Sequence, residues 1–166
     1  MILNKSIYLR AVEENDLELL KQWRNNEDFR SNFREIRELS TNHQVKWLER
    51  VNADSSSFMF TICDAKSDEI IGACGLLYIN WVIRSADFSF YIGKDNEYVS
   101  NSPYSIDATE ALLNYGFNTI NLNKIWMELY DIDQRKLDFF KENFNFKVDG
   151  LLRQNAFING EYHHSF

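Results

Sequence analysis

Glycine and proline are scarce in this chain: 166 residues hold six glycines and one proline. None of the glycines (Gly72, Gly75, Gly93, Gly116, Gly150 and Gly160) falls between Lys94 and Tyr115, which excludes a glycine-rich phosphate cradle in that stretch. A Walker loop, a dinucleotide fingerprint and a Ser/His/Asp arrangement are also missing. With no repeat and no Pro/Gly/Ser linker, one domain spanning 1–166 is expected. The two cysteines, Cys63 and Cys74, sit in separate apolar runs without metal-ligand spacing, so they read as buried reduced thiols. His163 and His164 alternate across an expected strand and cannot face one ion, so no metal site is expected. Positive charge is in deficit, 18 basic against 25 acidic residues, which disfavours a nucleic-acid partner. No apolar run approaches membrane-spanning length and no signal-peptide pattern opens the chain; the expectation is a soluble cytoplasmic protein without a membrane partner.

What is present is apolar and aromatic: 45% hydrophobic and 15% aromatic residues. Ser6–Arg10 reads as a first strand. Asn15–Asn25 reads as a helix with Leu17, Leu20 and Trp23 on one face and Asn15/Glu18 as a capping box. A second helix starts at Thr41-Asn42-His43-Gln44. Ser56–Asp64 and Glu69–Asn80 form a hairpin through Ala65–Asp68. Ala86–Ile92 alternates, with Ala86, Phe88, Phe90 and Ile92 on one face and Asp87, Ser89 and Tyr91 on the other. Then follow a helix to Ile120, a strand Lys124–Tyr130, a helix Gln134–Asn143, and closing strands Phe146–Phe157 and Glu161–Phe166. An antiparallel meander followed by strand–helix alternation gives a mixed α/β sheet.

This order resembles the GNAT superfamily of acyl-CoA-dependent N-acetyltransferases, along essentially the whole chain. The residues that carry the resemblance include Leu9-Arg10-Ala11-Val12, Trp23-Arg24-Asn25-Asn26, Ile71-Gly72, Gly75-Leu76, Arg84 through Gly93, Ala108-Thr109-Glu110-Ala111, Tyr115-Gly116-Phe117 and Phe146 to Gly150. It looks closest to the branch of ribosomal-protein N-terminal and nucleotide-aminosugar acetyltransferases. The resemblance implies a seven-stranded, mostly antiparallel sheet, with a split between Ala86–Ile92 and Lys124–Tyr130 that takes the pantetheine of acetyl-CoA. A bulge near Phe90, Tyr91 and Ile92 would free backbone groups for the pantetheine. The helix start at Ser102, Tyr104, Ser105, Ile106, Asp107 and Ala108 would face the pyrophosphate. Asp133, Lys136 and Phe140 would complete the cofactor side. Asp87 is the implied general base, and Trp23, Arg24, Asn25, Trp81 and Arg84 the acceptor wall.

The chain also departs from that pattern. Where Gln/Arg-x-x-Gly-x-Gly/Ala is usual, it has Pro103-Tyr104-Ser105-Ile106-Asp107-Ala108, in which only Ala108 fits. Asp133 stands where Asn is usual, and Phe140 replaces a proton-donating Tyr. Three readings stay open: an acetyltransferase acting on a small-molecule or peptide amine, with a nucleotide aminosugar or a protein N-terminus as acceptor; the same enzyme with its phosphate contacts moved to Ser100, Asn101 and Ser102; and a binding module without turnover. Pairing of two copies leaves no readable mark, so a homodimer stays open too.

Overall fold

A computed structural model describes all 166 residues. Six strands run in sequence order across one sheet: β1 (Ile2–Asn4), β2 (Ile7–Ala11), β3 (Phe58–Asp64), β4 (Ile70–Asn80), β5 (Ser85–Ile92) and β6 (Lys124–Trp126). Neighbours are antiparallel except β5 and β6, which are parallel. The final strands, β7 (Leu152–Ile158) and β8 (Glu161–Ser165), form a separate two-stranded ribbon. Leu129 and Phe166 exchange backbone hydrogen bonds and tie that ribbon to the main sheet. The mixed α/β class is as expected, with six strands plus a ribbon in place of seven in one sheet.

β5 lies between β4 and the edge strand β6, and both its faces are buried. Phe88 and Phe90 pack on Phe139 and Phe140 of α5 (Gln134–Phe144), with ring centroids 5.3–6.3 Å apart. On the opposite face Tyr91 meets Trp23 of α1 (Leu17–Asn25), Phe29 of α2 (Glu27–Arg30) and Phe33. The remaining helices are α3 (Thr41–Ala53) and α4 (Pro103–Asn114); the latter ends in a π-helical turn at Tyr115–Thr119.

Several boundaries differ from expectation for local reasons. β1 precedes the first expected strand because Lys5 takes a left-handed φ of 43° and turns the chain back. The capping box lies at Glu13 and Asp16, not at Asn15 and Glu18, since Asp16 is drawn inward by Arg10 at 2.7 and 2.8 Å. Ser40 rather than Thr41 caps α3. β6 pairs over only three residues, because β5 and β6 diverge after Asp87↔Trp126.

Candidate functional site

That divergence opens a cavity of about 810 Å³. One wall is the β5 face bearing Asp87, Ser89 and Tyr91, roofed by Arg24, Phe33, Arg34, His43 and Trp47. The cavity continues into the split, where Phe88, Phe90, Met127, Leu129, Lys136 and Phe140 line it. It therefore joins the α1–α3 side of the sheet to the α5 side beside Asp87.

Asp87 is 6% exposed. Burial raises its pKa, against the opposing pull of Arg34, whose Nη1 donates to Oδ2 at 2.9 Å. The other Arg34 nitrogen lies 3.5 Å from Glu128, so one guanidinium spans two carboxylates. Arg24 lines the cavity without any ion pair or hydrogen bond; its guanidinium sits 3.9 Å from the centroid of the Phe33 ring. Burial lowers its pKa. A desolvated cation facing open space is an anion seat by charge and by donor geometry.

Lys136, expected on the cofactor side, is 7% exposed. Asp133 caps α5 by accepting from the Lys136 N–H at 3.2 Å, and this turns the side chain inward. Nζ donates to the Tyr98 hydroxyl at 3.0 Å and lies 4.4 Å from that ring's centroid. The Tyr98 hydroxyl in turn donates to Asp133 Oδ2 at 2.5 Å. Burial pushes the Lys136 pKa down to about 8, with nearby Asp133 opposing. Burial and the Asp133 charge drive Tyr98 the other way, upward.

The other expected site residues divide. Phe90, Tyr91 and Phe140 line the cavity, whereas the Ile92 N–H and C=O pair with Tyr98. No bulge occurs at 90–92: β4 and β5 stay in register from Gly72↔Ile92 to Leu77↔Asp87, and the irregularity falls on β4, where Tyr78 has φ 51°. Trp23 packs against Gly93 and lies outside the cavity, because a Cβ on Gly93 would come within 1.9 Å of its ring. Asn25 is a backbone clamp, donating to Leu39 O (2.9 Å) and accepting from Leu39 N–H (2.8 Å), and so holds the 31–40 segment over the cavity. Trp81 donates to Ser55 O at the β4–β5 turn. Arg84 is exposed at the same turn, where its carbonyl anchors Asn123 and Lys124.

None of the expected pyrophosphate residues lines the cavity. Asp107 accepts from Ser6 N–H (3.0 Å) and Oγ (2.6 Å), stapling α4 to the β1–β2 turn. Tyr104 donates its hydroxyl to Asp64. Ile106 packs on the core and Ala108 is fully buried. Ser102 caps α4 and, with Ser105, bonds Glu97. Sequence reading missed Arg34, Glu128, Glu97 and Tyr98 as site residues; Arg34 lies in an irregular segment with no period to place it, and Glu128 falls in the part of the expected strand Lys124–Tyr130 that leaves the sheet after Trp126.

The Acetyltransferase (GNAT) domain model matches residues 6–141. Spermidine N(1)-acetyltransferase of Vibrio cholerae is 27% identical, covering 96% of this chain and 90% of that protein. The enzyme of the same name from Escherichia coli K12 is 28% identical over 95% and 81%. A crystal structure of the Vibrio cholerae spermidine N-acetyltransferase with CoA and spermine superposes with TM-score 0.86 at 27% identity, covering 98% of this chain and 93% of that one. These relatives are spermidine acetyltransferases, and belong by name to neither the ribosomal-protein nor the aminosugar branch that the sequence most resembles. The chain belongs to the acetyltransferase (GNAT) family, and transfer of an acetyl group from acetyl-CoA to an amine is the activity of its class.

Proposed function

We propose that this chain acetylates the primary amine of a small molecule that also carries an anionic group. The observation that carries the reading is the cavity that joins unpaired Arg24 to Asp87 and to the β5–β6 split. Six basic residues line it (Arg24, Arg34, Arg37, Lys46, Arg50 and Lys136) against four acidic ones (Glu35, Glu49, Asp87 and Glu128), in a chain of net charge −7. Arg24 holds the acceptor's anion, and a phosphorylated or nucleotide-linked aminosugar fits that description.

The apolar walls of the split suit the acetyl thioester and its pantetheine arm. Asp87, or a water it holds, takes the proton from the acceptor ammonium, and burial gives it the raised proton affinity that role needs. As the C–S bond breaks and the new C–N bond forms, the sulfur needs a proton that Phe140 lacks. Lys136, one turn earlier on α5 and in the same cavity, supplies it from Nζ. Its pKa of about 8 matches a thiol's of about 8.5, so the transfer is close to thermoneutral. Neutral Lys136 then regains a proton from water after product leaves.

A polyamine is the second reading, favoured by the names of the relatives and by the Asp87–Glu128 pair that Arg34 bridges. A polycation would meet the net positive lining at a cost. Thiol release from acetyl-CoA, measured with glucosamine 6-phosphate and with spermidine, separates the two. Higher kcat/KM for the phosphorylated amine is expected; preference for spermidine sinks the anion reading. Turnover of no amine would remove the enzyme and leave the binding module.

A further inference from the structure

The loop from β5 to α4 has no glycine after Gly93, yet Asp95, Asn96 and Tyr98 all take left-handed φ values of 54°, 54° and 58°. Such backbone is uncommon for non-glycine residues and persists where surrounding contacts impose it. The contacts here converge on Glu97. Its Oε1 accepts from the hydroxyls of Ser100 (2.8 Å), Ser102 (2.5 Å) and Ser105 (2.9 Å). Ser102 is the α4 N-cap and accepts from the Ser105 N–H, and the Ser102 N–H in turn donates to Ser100 Oγ. Pro103, at the first helical position, has no N–H to offer. The positive end of α4 thus already faces a carboxylate, an arrangement that the helix dipole stabilises.

A pyrophosphate at this place would meet a like charge and hydroxyls already engaged. The same carboxylate weighs against phosphate contacts moved to Ser100, Asn101 and Ser102, since the Ser100 and Ser102 hydroxyls bond Glu97 and Asn101 Oδ1 accepts from Asn143. Opposite, in the β5–β6 split, the cavity remains open to the thioester-bearing arm.

We infer that Glu97 is the built-in anion of the α4 terminus, so that the acyl donor is recognised by its pantetheine thioester and gains nothing from its pyrophosphate there. This rests on the acetyltransferase reading and narrows its donor chemistry. Glu97 is then the residue that sets donor specificity, although it touches no reacting atom. Acetyl-pantetheine, which lacks the nucleotide, serves as well as acetyl-CoA.

Calorimetric titration with CoA and with pantetheine tests this on the wild-type chain, E97Q and E97A. The wild type should bind the two ligands within about threefold, well under one tenfold step of 1.4 kcal/mol. Freeing the helix end should tighten CoA by about tenfold in at least one variant and leave pantetheine unchanged, because only CoA carries the charge that Glu97 opposes. E97Q keeps an acceptor for the serines, which guards against a collapsed loop in E97A. Unchanged CoA affinity in both variants overturns the inference. So does a wild-type preference for CoA of about tenfold or more that S100A abolishes. If neither ligand binds any form, the transferase reading falls as well, whereas pantetheine binding with a strong CoA preference removes this inference alone.

Discussion

Arg34 places one guanidinium nitrogen 2.9 Å from Asp87 and another 3.5 Å from Glu128, so the proposed base is poised between an attractive and a repulsive neighbour. Burial raises the Asp87 pKa, Arg34 lowers it and Glu128 raises it. A base works only when deprotonated, so activity falls as pH drops through its pKa. R34M removes the main lowering influence, and the acidic limb of kcat/KM should move to higher pH. E128Q should move it down. A pH–rate profile of the three forms checks the pair; limbs that coincide would remove Asp87 from the role.

Arg24 is the proposed anion seat for the acceptor, and on that proposal its loss should be felt in binding rather than in chemistry. R24Q should raise KM for glucosamine 6-phosphate by roughly 10- to 100-fold, the loss of a charge-assisted hydrogen bond of about 1.5–3 kcal/mol. Its kcat should stay within about threefold, the pattern of a contact equally strong before and in the transition state. KM for spermidine should hold or fall, because a cation has been removed from the lining. Equal losses on both acceptors would mean that Arg24 supports the wall and not the anion.

Lys136 makes a stability prediction independent of any substrate. Its folded pKa of about 8 lies below the value of 10.5 expected in the unfolded chain. Between those values the unfolded chain binds more protons, so stability contributed by this group rises with pH from about 8 to 10. At pH 7 the group is charged in a buried place that disfavours charge. K136M should therefore raise the thermal midpoint at pH 7, and its advantage over the wild type should shrink toward pH 10. A less stable K136M at pH 7 would show that the contacts to Tyr98 and Asp133 outweigh desolvation.

Alternation along Ala86–Ile92 located β5 and put Asp87 and Tyr91 on one face, because a period of two survives burial of both faces. The split was legible only through the resemblance, since nothing in Lys124–Tyr130 says where pairing with β5 ends. The resemblance put Lys136 on the cofactor side, but its burial was hidden for a different reason. A lysine beside Gln134 and Arg135 looks like a wet helix start, and only the Asp133 cap turns it inward. Glu97 was invisible because three left-handed residues fold it onto serines up to eight positions away, and local propensity does not encode that. Trp23, Asn25 and Arg84 belonged to the family frame, yet here they support the wall or a turn and do not line it.

The residue that most tightly holds that frame is Asp16, 2% exposed beneath the start of α1. It accepts two bonds from Arg10 (2.7 and 2.8 Å), one from the Glu13 N–H (2.9 Å) and one from Thr61 Oγ1 (2.9 Å). Burial raises its pKa, but these donors outweigh burial and leave it lowered. The unfolded carboxyl binds its proton at a higher pH than the folded one does. The stabilisation is therefore complete above the usual carboxylate range and is lost as pH falls below about 4. D16A strands the Arg10 guanidinium and the Thr61 hydroxyl and should cost roughly 3–5 kcal/mol at pH 7, as for other broken buried pairs. D16N keeps the shape but cannot accept all four bonds, so it should cost less and flatten the acid dependence of stability. Urea unfolding at pH 7 and pH 3 measures both effects. Because Arg10 and Thr61 lie on β2 and β3 while Asp16 leads into α1, a loss this large with an unchanged denaturant slope would show that this one carboxylate fixes the roof helices onto the sheet.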